Sequence, residues 1–260
     1  MKWYFAVNEH GLLHAWDQIQ ITVSSARRNT RLTPICLVDN GAKSPEAEAR
    51  IEVLARNGVQ IIEHKSLLWP IVKAKKGIET DMFSGHWLRC DIPLIDRSDE
   101  IILYTDIDVM FRSNPEPFGQ RPDFIACAPE FNQDDWGYFN SGVMLMNLQN
   151  LRSTRHELEQ HIENNIINMA PHDDQGALNS VYRDRWSKLD IAYNWKPYWG
   201  FNAHVPILHF HGPKPIHVKV YQDEKSDTQI FGPDLYSLYQ RDTEAYADYL
   251  EESKKYTLDA

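Results

Sequence analysis

Cysteine is scarce in this chain. Cys36, Cys90 and Cys127 stand far apart, odd in number and in apolar contexts. That pattern argues against a disulfide framework or a zinc site and fits buried thiols in a reducing cytoplasm. No stretch approaches the roughly 18 consecutive apolar residues of a membrane-spanning helix. The opening MKWYFAVNEHGLL has no long apolar core before a small-residue cleavage site, so no secretory signal is expected. The closing YADYLEESKKYTLDA mixes both signs and does not form a basic amphipathic segment, so stable membrane insertion is not expected. Basic charge is short as well: the net charge is −10, without the footprint that displaces counterions from nucleic acid. A local basic groove for a phosphorylated small molecule is still allowed. Internal repeats and low-complexity tracts are also missing. These absences predict a cytoplasmic protein, or one peripheral at the inner face of a membrane, with no nucleic-acid partner. They leave the oligomeric state open.

What the chain does have is apolar content, 42% with 12% aromatic residues over 260 positions, enough to bury one large domain. WYFAVN (3–8), TPICLVD (33–39) and VQIIEH (59–64) read as strands. Between the first two, HGLLHAWDQIQITVSSARR carries apolar residues near helical spacing. SPEAEARIEVLARNG (44–58) is a helix with serine at its cap, proline in the first position and glycine after the end. That β-α-β-α-β order predicts an α/β fold, a mostly parallel, Rossmann-like central sheet flanked by helices. After a helix around 79–96, EIILYT (100–105) is a fourth strand. DFIACA (123–128) and GYFNSGVMLMNL (137–148) follow, then a long polar helix near 149–167 and a short helix opened by DDQGALNSVY. NWKPYWGFNAHVP (194–206) is an aromatic loop, and ILHFHGPKPIH (207–217) a strand running into a Gly/Pro turn. The last thirty residues carry the apolar spacing of a helix packed on the domain.

The fourth strand runs into IILYTDIDVMF (101–111), with Asp106 and Asp108 expected on an exposed turn at its carboxyl end. Ligands of open α/β sheets bind outside the carboxyl ends of the strands. Two carboxylates one residue apart repel each other unless something positive sits between them. Mg²⁺ and Mn²⁺ take only a few carboxylates from protein and leave positions for substrate phosphates. A solvated acidic turn is the plain alternative. HFHGPKP (209–215) adds an imidazole, a glycine that lets backbone approach a ligand, and a lysine that meets a phosphate as a point charge. Singly these fit a core histidine and a turn lysine. Together with the aspartates they describe a metal–diphosphate clamp.

YTDIDVMF, YFNSGVMLMNL, HDDQGALN and HFHGPKP, in this order, resemble the motif set of the family 8 glycosyltransferases. Each motif is weak alone; four in order over most of the chain are specific. The resemblance implies a GT-A fold, a nucleotide-sugar donor (a UDP-sugar, UDP-Glc or UDP-Gal), Mn²⁺ with Mg²⁺ as the alternative, and transfer with retention. Asp106 and Asp108 match the family's metal-binding Asp-x-Asp, with Ile107 between them on the donor, and His209 matches the third metal ligand. Gly212 and Lys214 match the diphosphate-contacting pair, Arg89 of LRCDIPL a basic donor contact, and Asn140, with Ser141 beside it, an asparagine near the donor sugar. Asp174 and Gln175 match the pair at the reacting centre. Ala6 and Asn8 lie where the family holds uracil and ribose. The turn here is one residue shorter than the family's His-(Phe/Tyr)-x-Gly-x-x-Lys-Pro-Trp and lacks its tryptophan, which leaves His211 as a rival to His209. The implied organisation is a single domain over 1–260: a nucleotide-binding half (1–110) ending in Asp-x-Asp, a donor-sugar and acceptor half (111–220), and a C-terminal helical segment (221–260).

The function expected is metal-dependent, retaining hexosyl transfer to a glycan or glycolipid acceptor, such as a bacterial surface polysaccharide or lipopolysaccharide. Asp135 of DDWGY and the rings of Trp195 and Trp199 are candidates for acceptor sugar. Asp174 is chemically the better nucleophile of the reacting pair and Gln175 a poor one, so same-face attack and double displacement both stay open. Simpler roles compete at several positions. Arg89 could pair with Asp91 or Asp96, Asn140 could satisfy backbone beside Gly142, and Asp173 or Asp174 could cap a helix. A sugar nucleotidyltransferase or a non-catalytic nucleotide-sugar or glycan-binding protein are the alternative classes. The former usually carries a Gly-rich basic loop after the first strand, which NEHGLLHAW is not.

Overall fold

A computed structural model describes residues 1–41, 43–98, 100–115, 119–223 and 230–259. Its first strand, β1 (Lys2–Val7), is buried on both faces. Trp3, Phe5 and Val7 enter one core and Tyr4 the other, as the two-residue period of a strand requires. Next come α1 (Glu9–His14), α2 (Trp16–Asn29), β2 (Thr33–Asp39), α3 (Pro45–Arg56) and β3 (Gln60–His64). The caps of α3 follow its sequence: Ser44 accepts from the Ala47 N–H, and Gly58 turns the chain out at φ +81°.

Beyond α4 (Trp69–Lys76) lie α5 (Ser84–Leu88), a 3-10 turn (Arg89–Asp91) and α6 (Ile92–Ile95). The helix expected around 79–96 is therefore three short pieces, and Pro93 in α6 lacks the N–H that would continue the ladder. β4 (Ile101–Thr105) then enters the sheet, β5 (Val109–Phe111) leaves it, and β6 (Ile125–Pro129) and β7 (Phe139–Asn147) return. The polar helix expected near 149–167 is broken into α7 (Leu148–Ser153) and α8 (Arg155–Asn165). Thr154 stands at the break, its hydroxyl bonded to the Asn150 carbonyl (3.1 Å) and the Tyr182 hydroxyl (3.0 Å), a side-chain alternative to the helix ladder. After α9 (Asp174–Val181) come β8 (Ser187–Lys188) and β9 (Ile207–His209).

The central sheet has the order β3-β2-β1-β4-β7-β6-β8. β3, β2, β1 and β4 are parallel, β7 runs antiparallel to both its neighbours, and β8 is parallel to β6. β5 and β9 form a separate antiparallel pair. Ile102, Tyr104, Met144 and Met146 pack in one core, and Leu103, Val143 and Leu145 in the other. The expected mostly parallel sheet flanked by helices is what forms. After α10 (Pro215–Gln222), the C-terminal segment is not a single helix: α11 (Pro233–Arg241), with Gly232 at its N-cap, and α12 (Thr243–Ser253) are separated by Asp242, which caps α12 through the Ala245 N–H. Residues 224–229 and 260 of that segment lie outside the described residues. Among the described residues no helix is long and apolar enough to cross a membrane. Cys36, Cys90 and Cys127 are free and buried, and burial pushes each thiol above its ordinary value.

Candidate active site

β4 delivers the two aspartates to the carboxyl edge of the sheet, and neighbouring backbone pins them. The Asp106 N–H donates to the Gly142 carbonyl (2.8 Å), and the Asp108 carbonyl accepts from the Phe210 N–H (2.9 Å). The exposed turn expected here does not occur. β5 starts at Val109, which pairs with His209, so the returning strand covers Asp108 to 8% exposure. Asp106 is half-buried.

Asp106, Asp108 and His209 each offer a ligand atom, all within 4.8 Å of one another. The His209 Nε2 lies 3.2 Å from Asp108 Oδ1, a buried oxygen with no well-aligned hydrogen bond. Gly142 makes this approach possible: a Cβ there would meet His209 Cε1 at 2.2 Å and Asp106 Oδ2 at 3.0 Å. Two carboxylates and one imidazole, with Asp108 Oδ1 left unpartnered, fit a hard or borderline divalent cation. His211 points elsewhere, with Nε2 on Glu130 (2.9 Å) and Nδ1 on the Tyr198 hydroxyl (2.8 Å). Lys214 forms an ion pair with Asp108 and donates to the Phe210 carbonyl (2.9 Å). Burial alone would raise the Asp108 carboxyl, but the Lys214 ammonium beside it outweighs burial and holds it well below the usual range. Gly212 turns the loop at φ +80°, with Leu238 against it where a Cβ would collide at 2.7 Å.

Arg89 takes neither of its simpler partners. Asp91 is engaged by Arg155 (2.8 Å) and His64 (3.0 Å), and Asp96 by Lys2 (2.8 Å). The Arg89 guanidinium instead bridges Asp106 (2.8 Å) and Asp174 (2.9 Å), donates to the Ser141 carbonyl (2.9 Å) and lies 4.7 Å from the Tyr104 ring centre. It is a buried clamp for carboxylates. Burial pushes the Asp174 carboxyl up to about 7 against the pull of Arg89. Asp173, not Asp174, caps α9 through the Gly176 N–H (2.8 Å). Gln175 accepts from the Ser141 N–H (2.8 Å) and donates to Glu130 (2.9 Å). Asn140 does satisfy backbone beside Gly142, and it also donates to Glu130 (2.8 Å).

Ala6, Asn8, Arg89, Asp106, Ile107, Asp108 and Lys214 line one cleft of about 320 Å³. Asn8 caps α1 through the Gly11 N–H (2.9 Å) and donates to the Met82 carbonyl (2.8 Å). The acceptor candidates are not gathered there. Asp135 is an exposed turn residue accepting from the Gly137 N–H (3.0 Å). Trp195 and Trp199 pack edge to face at 5.6 Å, their indole N–H groups donating to the Gly200 and Phe131 carbonyls. Sequence reading passed over Glu130, Asn194 and Lys196. Glu130 is a lone acid in APEF and Asn194 and Lys196 sit in an aromatic loop, so no local pattern flags them. His86, which approaches Asp174 to 4.0 Å, was missed as well.

A mostly parallel sheet carries the acid pair at the carboxyl edge of its strands. Solved structures share that fold. The galactosyltransferase LgtC, in complex with donor and acceptor sugar analogues, is 18% identical, covering 95% of this chain and 96% of that one with a TM-score of 0.63. The glycosyltransferase GlyE of Streptococcus pneumoniae TIGR4 is 20% identical, covering 99% of this chain and 64% of that one with a TM-score of 0.60. The fold is GT-A. Residues 126–217 match the model of Glycosyl transferase family 8. Glycogenin of Neurospora crassa is 28% identical over 122 residues, which are 43% of this chain and 17% of that protein's length. The stretch from β6 into α10 is thus similar to the family 8 glycosyltransferases.

Proposed function

We propose that this protein is a metal-dependent retaining glycosyltransferase that moves a hexose from a UDP-sugar to a glycan or glycolipid acceptor. One observation carries the reading. Two segments far apart in sequence bring Asp106 and Asp108 together with His209 and Lys214, and both aspartates and Lys214 line one cleft. In this reading Asp106, Asp108 and His209 hold Mn²⁺ or Mg²⁺, which when bound supplies Lewis-acid neutralisation of the departing diphosphate. Lys214 exchanges Asp108 for donor phosphate and stabilises charge collecting there as the sugar–phosphate bond breaks. The donor base lies toward Ala6 and Asn8, and the sugar toward Asn140, Ser141 and Gln175.

Retention then favours attack by the acceptor on the face that UDP leaves. The Gln175 carbonyl oxygen is occupied by the Ser141 N–H and hydroxyl, and Asp174 is 2% exposed behind Arg89. Neither is free to serve as a nucleophile. The test is UDP release from a panel of UDP-sugars with Mn²⁺ and with a chelator. Metal-dependent release from one donor supports the reading. Absence of release from every donor, or release indifferent to the chelator, overturns it.

A further inference from the structure

A chain of buried side chains leads from Glu130 to His209, and its hydrogen-bond polarity can be followed atom by atom. A carboxylate only accepts, so Glu130 requires the NH₂ end of each amide it touches. Its Oε2 receives Nδ2 of Asn140 (2.8 Å) and Nε2 of Gln175 (2.9 Å). The Asn140 oxygen therefore faces away from Glu130, where the Gly142 N–H (3.0 Å) and Nδ2 of Asn194 (2.9 Å) both donate to it. With its NH₂ committed, Asn194 presents its oxygen to Nδ1 of His209 at 2.9 Å. That nitrogen must then be the donor. The lone pair of the neutral ring falls on Nε2, the nitrogen facing Asp108. Reversing any amide would set oxygen against oxygen. Asn194 is 0% and His209 1% exposed, so water does not compete for these bonds.

We propose that Asn194 is a positioning residue for the cation site: its amide, oriented by Asn140 and Glu130, holds His209 with Nδ1 protonated and the Nε2 lone pair presented to the ion. This rests on the reading of Asp106, Asp108 and His209 as metal ligands. It also ties the two halves of the site together, because the Glu130 oxygen that starts the chain fixes the Gln175 amide as well. The partner of a ligand histidine's other ring nitrogen sets ring orientation and basicity, and losing it typically costs 10–100-fold in metal affinity.

The test is Mn²⁺ binding measured by electron paramagnetic resonance without any sugar donor, so that it reads the site and not turnover. Asn194→Leu should weaken Mn²⁺ binding by roughly 10–100-fold. A leucine variant that binds as tightly as the wild type overturns the assignment. ¹⁵N spectra of histidine-labelled wild-type protein with saturating Mg²⁺ need no substitution. They should show His209 protonated at Nδ1 and coordinated through Nε2; a bare Nδ1 overturns the assignment. A wild type that binds no Mn²⁺ removes the metal reading itself, whereas tight binding that survives Asn194→Leu removes only the role of Asn194.

Discussion

Two carboxylates in this site, Asp108 and Asp174, are both buried and both face a cation, yet their surroundings differ. The partner of Asp108 is Lys214, a quarter exposed on a Gly/Pro turn, with a flexible stem and one point charge. The partner of Asp174 is Arg89, 6% exposed, fixed by Asp106, Ser141 and the Tyr104 ring. In the proposed function the first pair opens and the second stays closed. An exchangeable countercharge is what a site needs if a metal and a diphosphate are to enter, and a locked one is what keeps the adjoining backbone in place.

Breaking the exchangeable side should cost the most activity. Asp108→Asn is expected to lower transfer by on the order of 10³-fold or more, since it removes several kcal/mol of metal-borne charge stabilisation. Its metal-free stability should fall modestly, because Asp108 is ion-paired and not repelled. With its carboxyl held below the usual range, the wild type gains stability above ordinary carboxylate pH and loses it as pH falls further; the variant should lack that acid limb. Kinetics and urea melts as a function of pH check both statements.

Breaking the locked side should cost stability instead. Arg89→Leu leaves Asp174 without its countercharge, a loss of about 3–5 kcal/mol by analogy with other buried pairs. Burial already raises this carboxyl to about 7, and without Arg89 it must stay protonated to remain inside. The variant should therefore become less stable as pH rises through neutrality. Denaturation at pH 5 and pH 8 reads this directly, and equal stability at both would contradict it.

Lys214→Ala sharpens the contrast on a smaller scale. Loss of one preorganised charge at the leaving group should lower kcat by on the order of 10²-fold. A rise in KM alone would mean that Lys214 only binds ground-state donor. A purely pH-dependent effect belongs to Lys196, 0% exposed, donating to the Pro129 carbonyl and 4.2 Å from the Trp199 ring centre. Burial lowers its ammonium from 10.5 to about 7. Between those values the unfolded chain binds a proton that the folded chain does not. Wild-type stability should gain up to ~1.4 kcal/mol per pH unit in that window relative to Lys196→Met.

The same contrast marks what sequence could disclose. β1 to β4, the α3 caps and the two short motifs around Asp108 and Lys214 were legible, because each is a local pattern of apolar period, cap residue or paired carboxylate. The choice of His209 over His211 needed β5 and β9 to pair. Arg89 was legible as basic, but not as a clamp whose donors are directed inward. Glu130, Asn140, Asn194 and Gln175 meet only after four separate segments pack, so no spacing rule could link them. Breaks inside helices failed for a similar reason. Thr154 ends α7 with a bond to Tyr182, 28 residues downstream, and no glycine or proline announces it.

In the proposed function the Asp108 side of the site opens to hold a cation and a nucleotide-sugar. The most direct measurement is UDP release from UDP-glucose and UDP-galactose by wild type and Asp108→Asn, side by side, across a Mn²⁺ titration. Saturable Mn²⁺-dependent release is expected from the wild type and almost none from the folded variant at any Mn²⁺ concentration. Equal release by the two proteins, or wild-type release that persists in chelator, would contradict it.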